Sequence, residues 1–395
     1  MNSLRVPAAV SIPRVAVLTN MPVQHQVDLF NAIQGRAEMV LRAFYLRRMS
    51  YGRQWTFPQN IRHDAVFIPN VSIRKHLYLS PGAYREILRF RPNLTVVCQY
   101  ASTAMQATMW GHSLRGCPWV FWSEPPGVKY AQDPIVRSEW LRRLLRRLAL
   151  LPVQRWPAAI WAIGGLAEEA YRSLVRSWVP VESLSYYSDL SPYFAIERSR
   201  RAPGPIRLLY AGRLEFQKGY DVVLHTVERL ARLGTDFHLT VAGDGSLNGM
   251  LDGLPDAARD RIRFLGFQQH AALPEVFSQA DALLFPSRYD GWGLAVVEAM
   301  AAGMPVLGSI HAGACVDLIQ DGITGFLVDP FRTDDLFERL RLFLGRPEML
   351  DAMGREARRR ARKMDVTVGA ARFAELVRKA LGMAAAQELP SAGRV

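Results

Sequence analysis

The stretch from Leu284 to Val306 reads LFPSRYDGWGLAVVEAMAAGMPV, and it is the clearest indication of the fold in the sequence. A short apolar run of strand type leads into a loop that carries Asp290. Two glycines, Gly291 and Gly293, allow the backbone to approach a ligand closely. A helix is predicted to begin near Leu294, and the unpaired N–H groups at its start form an anion site. Strand, loop and helix in this order are typical of parallel α/β sheets.

Similar apolar runs recur along the chain, and each is followed by a helical pattern. Continuous rather than alternating runs suit strands that are buried on both faces of a parallel sheet. The alternation of strand and helix predicts βαβ units and an α/β fold with doubly wound, Rossmann-like domains. The runs lie at Val15–Leu18, Ala65–Ile68, Leu94–Cys98, Trp119–Trp122, Leu208–Tyr210, His238–Val241, Ala282–Phe285 and Val306–Leu307.

Charge divides the 395-residue chain into two unlike halves. Residues 1–200 carry 25 Lys and Arg against 12 Asp and Glu, so the net charge of +13 lies there. Residues 201–395 carry 24 of each. A basic half beside a neutral half predicts two domains with different partners, and it predicts that the first domain meets something acidic.

The predicted domain boundaries follow the break RSRRAPGP, where Pro, Gly and charge come together. We predict a basic N-terminal domain over 1–197, which would bind the acceptor, and a linker over 198–205. A second Rossmann-like domain spans 206–364, and a C-terminal helix with a tail spans 365–395.

Several function classes lack their sequence signatures. The chain has no complete G-x-G-x-x-G, no P-loop, no G-x-S-x-G and no D-x-D, and its three cysteines and eight histidines show no metal-ligand spacing. We therefore expect no metal and no cofactor. Sparse cysteines, no signal peptide and no run of about 18 apolar residues predict a cytoplasmic protein, soluble or on a membrane surface.

Two cations stand at the start of the second half, in the stretch LLYAGRLEFQKG. Arg213 emerges where a buried strand ends at Gly212, and Lys218 precedes a helix. A bidentate Arg and a point-charge Lys at this place suit a diphosphate. The alternative is a solvated charged loop.

Glu298 lies one turn into the helix that follows Asp290, among apolar neighbours. A buried carboxylate needs a partner. Ribose hydroxyls would provide one, and the alternative is that Glu298 caps a neighbouring loop.

Six short motifs follow one another between residues 206 and 330, and together they are specific. They read GRLEFQKG (212–219), AGDG (242–245), FLG (264–266), ADALLFPS (280–287), EAMAAGMPV (298–306) and GITGFLV (322–328). In this order they resemble the donor-binding domain of the family 4 retaining glycosyltransferases, which have the GT-B fold. The resemblance implies two facing Rossmann-like domains with a cleft between them and a C-terminal helix that crosses back to the first domain.

The resemblance also implies site residues. Arg213 and Lys218 would hold the donor diphosphate with backbone N–H groups near Leu294, and Glu298 would bind ribose. The implied catalytic residues are Arg213, Lys218, Asp290 and Glu124. The implied donor-binding residues are Gly212, Phe264, Gly266, Phe267, Gly291, Gly293, Leu294 and Glu298, of which those at 264–267 would line the base pocket.

The chain departs from the family pattern at two acidic residues. Asp290 stands where the family has the first of two Glu, so the spacing reads D-x7-E and sugar preference does not transfer. Glu124 stands where many members have a His; it would touch the sugar or orient the acceptor hydroxyl, or else cap a turn before two prolines. His25 and His112 are interpreted as structural histidines, and the alternative is that they face the cleft.

The segment 138–151 has a helical pattern with apolar residues on one side and four Arg on the other. Such a helix with Trp140 can lie on an anionic membrane surface. The alternative is an ordinary domain helix whose apolar side faces the core.

These observations favour a retaining glycosyltransferase. It would transfer a hexose from GDP-mannose or a UDP-sugar to a lipid-linked or glycan acceptor, in surface polysaccharide or glycolipid biosynthesis, at the cytoplasmic side of the inner membrane. One alternative is a sugar-nucleotide epimerase or a glycosyl phosphorylase on the same fold. Another is a non-enzymatic basic protein that binds membrane or nucleic acid, although 44 of the 49 cations are Arg and no nucleic-acid module is recognisable.

Overall fold

Two parallel β-sheets, one of seven strands and one of six, organise the chain. The computed structural model describes residues 12–49, 54–74, 77–126, 138–198, 204–332, 334–346 and 348–383. Helices lie between the strands of both sheets, so the prediction of two Rossmann-like α/β domains is confirmed. Most of the predicted linker and the last twelve residues of the tail lie outside the described residues.

The first sheet has the strand order β3-β2-β1-β6-β7-β8-β9, and all of its strands are parallel. Strands β4 and β5 pair antiparallel in a separate two-stranded sheet. The strands are β1 (Arg14–Thr19), β2 (Val40–Tyr45), β3 (Asp64–Phe67), β4 (Val71–Arg74), β5 (Leu77–Leu79), β6 (Leu94–Cys98), β7 (Trp119–Ser123), β8 (Ala159–Ala162) and β9 (Val181–Ser183). The helices are α1 (Gln24–Gly35), α2 (Ala83–Phe90), α3 (Thr103–Arg115), α4 (Glu139–Arg155), α5 (Gly165–Leu174) and α6 (Ser191–Phe194).

The second sheet is also parallel, with the order β12-β11-β10-β13-β14-β15. Its strands are β10 (Ile206–Ala211), β11 (Phe237–Ala242), β12 (Ile262–Gly266), β13 (Ala282–Phe285), β14 (Val306–Ser309) and β15 (Gly325–Val328). Its helices are α7 (Tyr220–Arg232), α8 (Asp256–Arg259), α9 (Leu273–Ser278), α10 (Leu294–Ala301), α11 (Gly313–Leu318), α12 (Asp335–Gly345) and α13 (Glu348–Ala361), and α14 (Val366–Ala380) follows them.

The central strands are buried on both faces, which explains their continuous apolar sequences. Every residue of β6, β7, β8, β13 and β14 is buried. Helices cover each sheet from both sides. These central strands therefore have no face toward solvent, and their sequences do not alternate with polar residues.

The C-terminal helix α14 returns to the first domain, as predicted. It packs along α1, and the rings of Phe373 and Trp161 meet edge to face with centroids 5.1 Å apart. Arg378 donates a hydrogen bond of 2.7 Å to Glu38 at the end of α1. The last helix therefore ties the second domain back to the first.

The chain joins the second domain before the predicted linker begins. Tyr193 packs edge to face on Phe277 with ring centroids 5.4 Å apart. The Arg198 guanidinium donates to the carbonyl oxygens of Ala280 and Phe277 at 2.7 and 3.0 Å. Tyr193, which the sequence places in the first domain, and Arg198, the first residue of the predicted linker, thus pack on the second domain.

Helix α4 presents apolar side chains to solvent. Trp140 is 68% exposed, and Leu144, Leu145 and Leu148 are exposed with it. We call these four residues the exposed apolar face of α4. Among the apolar side chains of α4 that the structure describes, Leu150 and Val153 near its end are buried in the core. The interpretation of 138–151 as an ordinary helix with its apolar side in the core is therefore wrong for most of its length.

Removal of the Phe373 ring is expected to destabilise the protein. Phe373 is fully buried between α14 and the first domain, and Phe→Ala changes at such sites lower the free energy of unfolding by about 3–5 kcal/mol. Urea denaturation of Phe373→Ala measures the loss. Val368→Ala is the control, because this side chain on the same helix is exposed and its truncation should change little. Equal stability of the two variants would contradict the packing described here.

Candidate functional site

A cavity of about 230 Å³ opens between the two domains, at the carboxyl ends of their strands. Ligands of open parallel sheets bind at this end. The first domain contributes residues after β7 and β9, and the second contributes residues at the ends of β10 and β13 and at the start of α10. The lining residues are Glu124, Tyr186, Tyr210, Ala211, Gly212, Lys218, Phe285, Ser287, Asp290, Trp292, Gly293, Leu294 and Ala295.

Lys218 and Asp290 form an ion pair at the centre of this cavity. Nζ lies 2.6 Å from Oδ2, and the two side chains are only 16% and 19% exposed. Lys218 ends a short 3₁₀ turn, and Gly219 follows it with φ +69°. A Cβ at Gly219 would overlap the carbonyl oxygen of Pro286, so the turn lies directly on the end of β13. Glycine at 219 therefore sets the position of Lys218.

The loop after Asp290 places a helix start beside the ion pair. The second oxygen of the Asp290 carboxylate accepts the Trp292 N–H at 3.3 Å. Gly293 has φ +103°, a conformation that favours glycine, and α10 begins at the next residue. Leu294 and Ala295, the first residues of the helix, line the cavity. A cation and unpaired helix N–H groups therefore meet at one place, which is suited to an anion.

Glu124 reaches the same cavity from the first domain. The Tyr186 hydroxyl donates a hydrogen bond of 3.1 Å to its Oε1. A Cβ at Gly291 would overlap the Glu124 carboxylate, so this side chain lies against the backbone of the other domain. Burial, and next the charge of Glu124, raise the pKa of Tyr186 well above its usual value, so the hydroxyl stays a donor. Within the described residues Glu124 forms no ion pair.

Glu298 is buried behind the cavity and does not line it. It is 5% exposed, and burial raises its pKa. His270 Nε2 lies 3.7 Å from Oε1, and Tyr193, whose pKa burial raises, packs beside it. The expectation that Glu298 needs a partner is thus met in part by protein groups.

Four other predicted site residues lie outside the cavity lining. The Arg213 side chain is 59% exposed and pairs with Glu215 at 2.8 Å. Phe264 is exposed, Gly266 ends β12 with φ +65°, and the Phe267 ring packs against Trp55 of the first domain. Of the predicted set, the structure brings Glu124, Gly212, Lys218, Asp290, Gly293 and Leu294 together in the cavity, with Gly291 behind Glu124.

Sequence reasoning missed Tyr186, Tyr210, Ser287 and Trp292. The Ser287 hydroxyl and the Trp292 indole N–H are buried beside the cavity and have no hydrogen-bond partner in the described part of the chain. Both residues lie in the stretch 284–306. The sequence therefore predicted that they follow the strand, but it did not predict that their polar atoms are buried beside the cavity. Tyr186 lies outside every motif.

The two histidines that sequence reasoning interpreted as structural lie in different surroundings. His112 is buried, its Nε2 lies 2.8 Å from Thr95 Oγ1, and burial lowers its pKa to about 4. The His25 ring lies 4.4 Å from the Tyr186 ring, next to the cavity. Over the described ranges, no three His, Cys, Asp or Glu side chains are grouped to hold a metal ion.

Residues 194–360 match the family model of the glycosyl transferases group 1. Over these residues the chain is similar to the group 1 glycosyltransferases. The match covers the second sheet, its helices and the segment that packs on it, and it includes Lys218, Asp290 and Glu298. The chain also resembles an alpha-D-kanosaminyltransferase of Streptomyces kanamyceticus, at 28% identity over 238 residues (60% of this chain and 57% of the relative).

A glycogen synthase of Mycobacterium tuberculosis is 34% identical over 171 residues, which are 42% of this chain and 40% of that protein. The chain thus spans about half the length of these curated relatives. Among solved structures, Anabaena Alr3699/HepE in complex with UDP superimposes with a TM-score of 0.69 at 16% identity, over 93% of this chain and 99% of that one. This likeness shows the fold, and it agrees with the GT-B arrangement of two facing domains.

Replacement of Glu298 by Gln is expected to stabilise the protein at neutral pH. Because burial raises the pKa of Glu298, the unfolded chain releases its proton at a lower pH than the folded one does. The wild type therefore loses stability as pH rises above about 4.5, whereas Gln carries no charge to bury. Thermal unfolding at pH 7 should show the higher midpoint for Glu298→Gln, and the gap should close toward pH 4. A pH-independent gap would contradict this account.

Proposed function

We propose that the protein is a retaining glycosyltransferase that transfers a hexose from a nucleoside-diphosphate sugar, GDP-mannose or a UDP-sugar, to a lipid-linked or glycan acceptor. The observation that carries the proposal is the Lys218–Asp290 pair beside the start of α10, in a cavity between two domains. The group 1 domain supports the reaction class. The UDP complex of Alr3699/HepE supports a nucleotide donor.

The leaving diphosphate is the group that this site is suited to stabilise. Negative charge develops on the phosphate oxygen as its bond to the sugar breaks, and fixed donors aimed at that place lower the barrier. The Lys218 ammonium and the N–H groups at Leu294 and Ala295 are such donors. No metal is invoked in this proposal, because cations and a helix start neutralise the charge.

Arg213 provides a second cation through a change of partner. It directly follows Gly212, which lines the cavity, and its side chain is 59% exposed, whereas the Glu215 side chain is 13% exposed. Because the guanidinium stays solvated in this pair, a bound diphosphate would compete with Glu215 for Arg213.

The remaining predicted residues contact the nucleoside, the sugar and the acceptor. Glu298 would accept hydrogen bonds from ribose, while Phe264, Gly266 and Phe267 would line the base pocket. Asp290 orients Lys218 and would contact sugar hydroxyls. Among the described residues, the Tyr186 hydroxyl is the one hydrogen-bond donor to the Glu124 carboxylate, so Oε2 would accept a hydroxyl of the sugar or of the acceptor.

The acceptor side of the proposal rests on the first domain and on α4. The exposed apolar face of α4 is accompanied by exposed Arg143 and Arg147 on a domain that carries the whole excess positive charge. Apolar side chains beside Arg suit an anionic lipid surface. We propose that α4 binds the cytoplasmic face of the inner membrane, in surface polysaccharide or glycolipid synthesis. No helix in the described ranges is long and apolar enough to cross a membrane.

Nucleotide binding tests the donor site. Calorimetry with UDP, GDP, ADP and dTDP should find one that binds the wild type tightly and binds Arg213→Ala/Lys218→Ala weakly or not at all. With the matching sugar nucleotide, loss of one charge-stabilising donor should lower kcat about 10²–10³-fold. Lys363→Ala is the matched control, since Lys363 is exposed on the connection to α14. Absence of binding by all four nucleotides would overturn the proposed function.

Vesicle sedimentation tests the membrane surface. The wild type should bind vesicles of phosphatidylglycerol and phosphatidylcholine at low salt, and binding should weaken as salt rises. Replacement of Trp140 and Leu144 by Ser should reduce binding strongly, because it removes the apolar contact. Leu233→Ser is the control, as Leu233 is an exposed apolar residue of the second domain. Wild-type protein that stays unbound at low salt would refute this part of the proposal.

A further inference from the structure

A short segment of the first domain, residues 54–56, reaches across the cleft and is held on the second domain. We call it the Trp55 strap. The Gln269 side-chain amide donates to the carbonyl oxygen of Gln54 at 3.0 Å and accepts the N–H of Thr56 at 3.2 Å. The Gln54 amide donates to Asp244 at 2.8 Å. Bonds to residues 54 and 56 fix the residue between them.

The strap lies at the carboxyl ends of β11 and β12. Asp244 stands just beyond the end of β11, and Phe267 directly follows β12. In the order β12-β11-β10-β13, β11 adjoins β10, the strand that leads to Lys218, and β12 lies beyond β11. The strap therefore covers the same edge of the sheet as the ion-pair cavity, two strands further along it.

A chain of contacts joins the cavity to the strap. Glu298 lies one turn into α10, whose first residues line the cavity, and His270 Nε2 is 3.7 Å from its carboxylate. The rings of His270 and Trp55 have centroids 6.5 Å apart. These protein contacts thus lead from the start of α10 to Trp55, on the side of the sheet where the nucleoside of a donor with its phosphates at Lys218 would lie.

Trp55 is poorly explained as a packing residue. Its indole meets the Phe267 ring edge to face with ring centroids 5.0 Å apart, yet 39% of the residue stays exposed. Hydrogen bonds to the backbone of residues 54 and 56 hold Trp55 in place, and part of its indole remains exposed where the two domains meet. A nucleobase can stack on such an aromatic surface.

We infer that Trp55 forms the first-domain wall of the nucleobase subsite, so that the base of the donor is held by both domains. This inference rests on the proposed function and adds a binding residue to it. It follows that a nucleoside diphosphate, and not pyrophosphate alone, gains affinity from the strap.

Calorimetry on the full chain separates this role from a merely structural one. The probes are pyrophosphate and whichever of UDP, GDP, ADP and dTDP binds the wild type. Trp55→Ala should weaken nucleoside diphosphate binding about tenfold, the loss of one stacked base, and leave pyrophosphate binding unchanged. Trp55→Phe should retain most of the affinity. Trp178→Ala, which removes another exposed indole of the first domain, should change neither.

Two results would overturn the inference. Nucleotide binding by Trp55→Ala at wild-type strength would show that the base lies elsewhere. An equal loss for pyrophosphate and nucleotide would show that the strap only holds the domains together. A wild type that binds none of the four nucleotides is a different result, since it overturns the proposed function and this inference with it. Quenching of fluorescence by bound nucleotide should also be smaller in Trp55→Phe than in the wild type.

Discussion

The buried contact between Lys218 and Asp290 is the constraint on which the site depends. Both charges are largely withdrawn from water, and such a pair persists only if its geometry is good and each partner is held in place. Gly219, which lies on the end of β13, holds the lysine, and the Trp292 N–H holds the carboxylate. A diphosphate that enters beside this pair would meet a lysine that folding has already largely removed from water. The free energy needed to desolvate this cation is therefore not needed again when the diphosphate binds.

The two domains meet through backbone as well as side chains, and this sets the width of the cavity. Both oxygens of Asp317 accept the N–H of Gly165 at the start of α5, at 2.9 and 3.1 Å. The Trp292 ring lies where a Cβ of Gly164 would stand. The Glu124 carboxylate likewise lies against Gly291. A side chain at Gly164, Gly165 or Gly291 would collide with the opposite domain and push the two domains apart. Helix α14 also joins the two domains, because it follows the second domain in the chain and packs on α1 of the first.

The sequence was most informative where a single segment forms both a secondary-structure element and part of the candidate site. The stretch 284–306 predicted a strand, a glycine loop, the start of α10 and the place of Asp290, because these are local consequences of residue type and spacing. The motif around Lys218 was readable for the same reason. Groups that meet only through tertiary packing were not readable: Tyr186 reaches Glu124 across the first domain, and Trp55 reaches Phe267 across the cleft.

The distribution of charge shows why the two halves of the chain differ. In the second domain, cations pair with neighbouring carboxylates, as in Arg207 with Asp281, Arg288 with Asp221 and Lys218 with Asp290. With no net charge, this half would attract the proposed anionic donor through local groups in the cleft rather than through a long-range field. The excess of the first half acts over a Debye length of about 8 Å at physiological salt. A field of that range suits an extended acidic partner, such as a lipid surface, whereas short contacts inside the cleft suit one small anion.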